Sequence, residues 1–348
     1  ILWDKQPLEG FESAPITDLT ARYDLVVLDH PHIGEAVEAD CLRPIDDLFG
    51  PEQIAEWRAR TVGPAFWSYT WEGRQWALPL DVATQVMARR PDRIAAPPAD
   101  WEELEALAAA QPVALSLGGP HAFLALISMA AGQGAVVGGA AMLPDAAALP
   151  ALARLARLAA LAPPGSERLN PIGLLEAMAG GDGIALVPLV FGYVTYARPA
   201  VSRHRLAFSD SLRARGGRGG VLGGTGIAVS RRCVPSPELL GHVADLMSVE
   251  TQTRFFPEFG GQPSARPAWT SPEVNAAWGN FYRDTLATAE AALLRPRFDG
   301  FPGFTNAASA CLRDALDRRE TPEAMLAHLR TLWTEFRARC RGPLDDDR

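Results

Sequence analysis

The residues with the most chemical potential lie close together in Asp29-His30-Pro31-His32. Two imidazoles one residue apart, beside a carboxylate, are of types that ligate a metal or donate and accept hydrogen bonds to a polar ligand. The four other histidines (His121, His204, His242, His328) form no second cluster with ligand spacing, and no H-E-x-x-H motif occurs. Hydrogen bonding to a ligand, or capping of the following helix, is therefore the reading taken. A metal-dependent enzyme built on this loop is kept as the alternative. Aromatic side chains crowd at Trp67, Tyr69, Trp71 and Trp76, and again at Phe191, Tyr193 and Tyr196; such rings stack on the C–H faces of flat or polyhydroxylated ligands when they are not simply core. Ser116 and His121 flank Gly118-Gly119-Pro120, a turn whose free amides could hold an oxygen. Nucleophile and nucleotide signatures are missing: there is no G-x-S-x-G, no G-x-x-x-x-G-K-S/T, and no G-x-G-x-x-G after the first strand. Cys41, Cys233, Cys311 and Cys340 form no C-x-x-C pair, so a zinc ribbon or thioredoxin-like site is not expected.

The elements that would position these groups alternate between strand and helix. Tyr23 to Asp29 is a short apolar run without internal polar alternation, the pattern of a strand covered on both faces. Val113 to Leu117, Ile184 to Val190 and Gly226 to Ser230 read the same way. Helix starts are explicit in Asp100 with Glu103, Ser236-Pro237, Ser271-Pro272 and Thr321-Pro322. After Thr321 the stripe Met325, Leu329, Leu332, Trp333, Phe336 has helical spacing and should face the protein. This alternation predicts an α/β fold with parallel sheets. Between Arg213 and Gly224 six glycines break the pattern, as a hinge or a close approach to ligand requires.

Composition sets the outer bounds. At 348 residues, 48% hydrophobic and 21% charged, the chain is globular and long enough for two lobes. A net charge of −8 with no long basic block argues against nucleic acid as partner. No charged residue occurs between Glu105 and Asp145, but glycines and prolines divide that stretch, and its longest unbroken piece, from His121 to Ala131, is too short to cross a membrane. The chain starts at Ile1 with no basic, then apolar, leader pattern, so the reading expects a leader already removed or a truncated chain.

The order of five segments resembles the extracellular solute-binding proteins of ABC importers, of the maltodextrin-type carbohydrate family. They are Tyr23 to Gly34 (YDLVVLDHPHIG), Gly73 to Arg90 (GRQWALPLDVATQVMARR), Gly180 to Tyr193 (GGDGIALVPLVFGY), Gly223 to Ser230 (GGTGIAVS) and Phe259 to Arg266 (FGGQPSAR). Two departures stand out: the family begins with a strand and a helix ahead of the Trp3 to Phe11 region, so its first strand is expected to be missing from the chain as given, and Asp-His-Pro-His is not the usual sugar-importer loop.

The resemblance implies a type II periplasmic-binding-protein-like α/β fold, with two α/β lobes, hinge-crossing strands and a central ligand cleft. Residues 1–84 and 223–272 would form the N-terminal lobe, and 85–222 and 273–348 the C-terminal lobe. It implies a periplasmic monomer, not an enzyme, with no cofactor and no metal. Its partners would be a small polar solute, a sugar or polyol, and an ABC permease in the inner membrane. A carboxylate or other non-sugar metabolite is the alternative ligand, with Arg74, Arg198 and Arg297 to receive it. The ligand-binding residues expected are His30, His32, Asp81, Thr84, Ser116, His121, Phe191, Tyr193, Thr225, Phe304 and Asn306, the last two in a Phe-Pro-Gly-Phe-Thr-Asn loop before a helix beginning after Ala307.

Overall fold

The computed structural model describes residues 1–5, 15–181, 183–198 and 204–340. Its strands are β1 (Leu25–Asp29), β2 (Leu42–Arg43), β3 (Thr70–Trp71), β4 (Arg74–Gln75), β5 (Leu78–Pro79), β6 (Ala83–Arg89), β7 (Leu186–Phe191), β8 (Ala207–Ser209), β9 (Leu222–Gly223) and β10 (Thr225–Ser230). They form two four-stranded sheets and the small β3–β4 hairpin.

In the first sheet β10 is central. β1 pairs along its whole length, from Leu25 opposite Val229 to Asp29 opposite Thr225. β2 and β5 take β10's other edge at Val229–Ser230 and at Gly226–Ile227. In the second sheet β6 is central, with β7 on one edge and β8 and β9 on the other. Every ladder named is antiparallel, which corrects the expectation of parallel sheets. The reason lies in the returning strands. β1, β2 and β5 all run antiparallel to β10 and so share one direction, but β10 lies between β1 and the other two and takes their hydrogen bonds. Parallel pairing survives in two isolated bridges, Val113 with Leu186 and Val221 with Leu293. Val113 to Leu117 accordingly forms a bridge rather than a full strand.

Helices close both sheets, and their starts follow local chemistry. Asp100 accepts from the Glu103 amide at 2.8 Å, and the hydroxyls of Ser236, Ser271 and Thr321 accept from the third amide of the helices they open. The helix His121–Gly132 is buried on all sides. It packs against Asp145–Leu161 and Phe301–Asp317, and the latter against Pro322–Arg339. An apolar helix without a polar face is stable only in such a position. Met325, Leu329 and Trp333 are buried on the last helix, with Leu332 and Phe336 packed at their edge.

Three chain segments pass between the sheets, and they meet. The link from β5 to β6 places Leu80 and Asp81 beside Thr225, whose carbonyl accepts from both amides at 2.8 and 3.2 Å. Gly224 links β9 to β10. The stretch 292–298 runs alongside: the Leu222 amide donates to Leu293 at 2.9 Å, while Arg297 donates to the carbonyls of Trp67 and Thr70 at 2.6 and 2.7 Å. Glycine is demanded here. Gly224 has φ of +101°, and a Cβ on it would lie 2.5 Å from the Asp81 carbonyl oxygen; one on Gly223 would lie 2.7 Å from the Phe191 ring.

Candidate functional site

At this meeting of crossings lies a cavity of about 160 Å³. Its floor is Asp81, Gly223, Gly224, Thr225 and Arg295; Asp29, Pro31 and His32 border it from the end of β1. Phe191 and Tyr193 enter from the end of β7, and Phe301, Pro302, Thr305 and Asn306 from the first turns of a helix. The volume is near that of the ~150 Å³ cavities that accept a benzene-sized guest, so it suits a small solute rather than a long oligomer.

The strand ends explain the convergence. β1 terminates at Asp29, whose side chain accepts from the His30 amide at 2.8 Å and starts the short turn His30–His32, with Pro31 in its first positions. That turn points His30 inward and His32 outward. His30 is fully buried, edge-on to Tyr69 with ring centroids 6.2 Å apart. His32 lines the cavity, with Nδ1 3.4 Å from Glu35 Oε2. Tyr69 straps the floor from below, donating its hydroxyl to the Leu28 carbonyl at 3.2 Å.

Two carboxylates share the cavity under different conditions. Arg295 Nη2 donates to both oxygens of Asp29, at 2.9 and 2.8 Å. Burial pushes the Asp29 carboxyl up, but the Arg295 charge and the neighbouring His30 outweigh it and hold the group far below the usual carboxylate range. Asp81 has no such partner among the described residues. Its Oδ1 accepts from the Thr225 amide and from the Thr225 hydroxyl, the latter at 3.0 Å. Burial raises its carboxyl to about 6 against those hydrogen bonds, and the charge of Asp29 adds to the rise. The two buried histidines move the other way. Burial, then the Arg295 charge, pushes His30 down to about 4 and His121 down to about 3, so both are neutral.

Of the residues expected at the site, His32, Asp81, Phe191, Tyr193, Thr225 and Asn306 come together on the cavity wall. The other five do not. His30 lies beneath the wall. Thr84 is buried within β6, paired opposite Leu222. Ser116 is fully buried, and His121 is buried edge-on to Phe191 at 5.8 Å. Their turn is closed by a neighbouring helix: the Phe123 amide is taken by Ser309 at 3.0 Å, and Arg313 donates to the Leu117 and Gly119 carbonyls at 2.8 and 2.6 Å. Phe304 is a core residue. The expected loop is already helix, Phe301–Asp317, because Pro302 suits a first turn, and Phe304 packs on Phe123 and Trp333 at 5.1 and 4.9 Å.

The aromatic run at Trp67 to Trp76 is likewise mostly core: Tyr69, Trp71 and Trp76 are buried and Trp67 alone is exposed, with Arg58 4.8 Å over its ring. Arg74 pairs with Asp47 at 2.5 Å, Arg198 lies over Trp278, and Arg297 is spent on backbone carbonyls, so none of the three turns to the cavity. Tyr196 leaves Tyr193 to bond Glu176 at 2.5 Å. Arg295, Phe301 and Thr305 are cavity residues that sequence reading missed, and only the fold brings Arg295 to Asp29 across 266 positions. The one available signal was a second arginine, two positions before Arg297, in an apolar stretch. Among the described residues, no group of three His, Cys, Asp or Glu side chains could hold a metal ion.

Two sheets joined by crossing strands around a central cavity are the architecture of type II periplasmic binding proteins. The family described as bacterial extracellular solute-binding protein matches residues 13–166. No curated protein matches the chain. Solved structures with the same fold include the sugar-binding protein MalE of Xanthomonas citri, at TM-score 0.77 and 18% identity over 96% of this chain and 89% of that one. A solute-binding protein of Agrobacterium radiobacter in complex with ribitol superposes at TM-score 0.75 and 19% identity, over 90% of this chain and 85% of that one. A third, from Agrobacterium vitis with bound D-mannitol, gives TM-score 0.74 and 17% identity over 96% and 91%. Among the described residues no helix is long and apolar enough to cross a membrane.

Proposed function

We propose that this chain is the solute-binding component of an ABC importer, capturing a small sugar or polyol and presenting it to an inner-membrane permease. The observation that carries the reading is the cavity itself. It opens where three crossings meet, and its polar groups and rings arrive from the strand ends of both sheets. In this reading residues 1–84 with 223–272 and 85–222 with 273–348 are the two lobes. His32, Asp81, Phe191, Tyr193, Thr225 and Asn306 contact the solute, with Arg295 beside them. Ligand contacts both lobes only in the closed form, so binding shifts the population toward closure; a shift from mostly open to mostly closed takes about 5 kcal/mol of differential contact.

The protein acts as a monomer in the periplasm, binds without making or breaking a covalent bond, and needs no cofactor. The matched solutes of its fold relatives, ribitol and D-mannitol, are of the size this cavity accepts. A thermal-shift screen over pentitols, hexitols, hexoses, organic acids and betaines tests the proposal, because a ligand at 100 times its Kd adds about 2.7 kcal/mol of stability. A polyol or sugar that raises the melting temperature and binds one-to-one by calorimetry is the expected result. A response confined to carboxylates would overturn the ligand class, and turnover of any of these compounds would overturn the transport role.

A further inference from the structure

The two carboxylates of the cavity are not equivalent, and the difference bears on what the solute must carry. Asp29 is neutralised by Arg295. Asp81, on the same floor, is hydrogen-bonded by Thr225 alone and touches no cation among the described residues. A buried carboxylate without a counter-charge is costly, and that cost is relieved by whatever cation reaches it. The walls favour a cation as well: the rings of Phe191, Tyr193 and Phe301 line the same space, and the face of an aromatic ring attracts ammonium. On the other side Arg295, whose guanidinium is engaged through Nη2, keeps a buried Nε–H with no partner among the described residues. It can donate to an oxygen but, already bound to Asp29, is poorly placed to act as counter-ion for an anionic ligand.

We propose that the solute carries an ammonium group beside its hydroxyls, as in an amino sugar or amino polyol, with the nitrogen on Asp81 and an oxygen on the Arg295 Nε–H. The inference rests on the transport reading given above and narrows its ligand class. The ion pair forms only when Asp81 is ionised. The other titratable or charged groups around it are Asp29 with Arg295 and His30 upon it, Tyr69 below the floor, and Tyr193 and His32 on the wall, with Glu35 behind His32. Burial raises Asp81 to about 6, so preference for the amine should fade as pH drops through that value.

The test is calorimetry on matched pairs, D-glucosamine against D-glucose and N-methylglucamine against sorbitol, at about pH 7.5 and about pH 5. The expected result is an amine bound about tenfold or more tighter than its neutral partner at the higher pH, with the advantage shrinking at the lower. Asp81→Asn should erase the advantage while keeping an acceptor for Thr225. Circular dichroism of that variant confirms that a lost preference is not lost folding. Neutral partners that bind as tightly as the amines, or an amine advantage that survives in Asp81→Asn, would overturn the inference and leave the transport reading standing. If neither member of either pair binds while an organic acid does, both fall together.

Discussion

Replacing Arg295 by Met keeps an unbranched stem and removes the charge that neutralises Asp29. The pair is well inside the protein, with side chains 9% and 16% exposed. Removing one member of such a pair typically costs about 3–5 kcal/mol, because the remaining charge is left buried alone. The partial access of solvent to Asp29 argues for the lower end, about 3 kcal/mol. With a urea m-value near 3 kcal/mol/M for a chain of this size, the unfolding midpoint should fall by about 1 M at neutral pH.

The pH dependence separates this mechanism from simple loss of packing. Without Arg295, burial is the largest influence on the Asp29 carboxyl and pushes it upward. The penalty is then present at neutral pH and is relieved as the group takes a proton on acidification. The wild-type protein, by contrast, keeps its own Asp29 contribution until the pH falls below the ordinary carboxylate value toward the far lower folded one. The gap between the two should therefore narrow at about pH 4.5, through relief of the variant's penalty. Urea unfolding followed by tryptophan fluorescence at the two pH values, with Asp29→Asn/Arg295→Met as the companion variant, measures it. A midpoint shift below about 0.3 M, or an equal shift at both pH values, would refute the reasoning.

Asp81 should behave in the opposite sense. Its carboxyl is raised in the folded state from 3.8 to about 6, so the folded protein holds the extra proton and stability is lost as pH rises through that window. Asp81→Asn is expected to stabilise the empty protein by about 1–3 kcal/mol at neutral pH and by little at pH near 4, read from urea midpoints. His30 and His121, lowered to about 4 and about 3, should cost stability as pH falls below about 6.5, and His30→Phe should flatten part of that slope in the same series. Gly224→Ala should cost about 1–3 kcal/mol, from its positive φ and the clash with the Asp81 carbonyl, and should also weaken solute binding by shifting the floor. Phe304→Ala should cost about 3–5 kcal/mol in denaturant, whereas Asn306→Ala should leave stability nearly unchanged and reduce solute affinity in calorimetry.

Local chemistry made much of this fold legible. The capping residues Asp100, Ser236, Ser271 and Thr321 act within three positions of themselves, and each opens the helix its neighbours announce. The apolar run ending at Asp29 and the glycine pair before Thr225 likewise encode a strand end and a tight crossing. Sheet direction was not legible, because an apolar strand reads alike whether its neighbour runs with it or against it. The site divided along the same line. Residues at strand ends or in the crossings, such as Asp81, Phe191 and Thr225, could be placed from the segment they sit in. Ser116, His121 and Phe304 could not, since their exposure depends on Ser309 and Arg313 in one case and on Phe123 and Trp333 in the other. Arg295 gains its meaning only from Asp29, a partner no local pattern connects to it.

Hydrogen–deuterium exchange, with and without the polyol, sugar or amino sugar giving the largest thermal shift, tests the central claim most directly. Trapping between two halves predicts protection on both flanks of the cavity at once: 29–34 and 225–226 from one sheet, 191–193 and 301–306 from the other side. Protection confined to one flank, or centred on a surface away from Asp81 and Phe191, would contradict it.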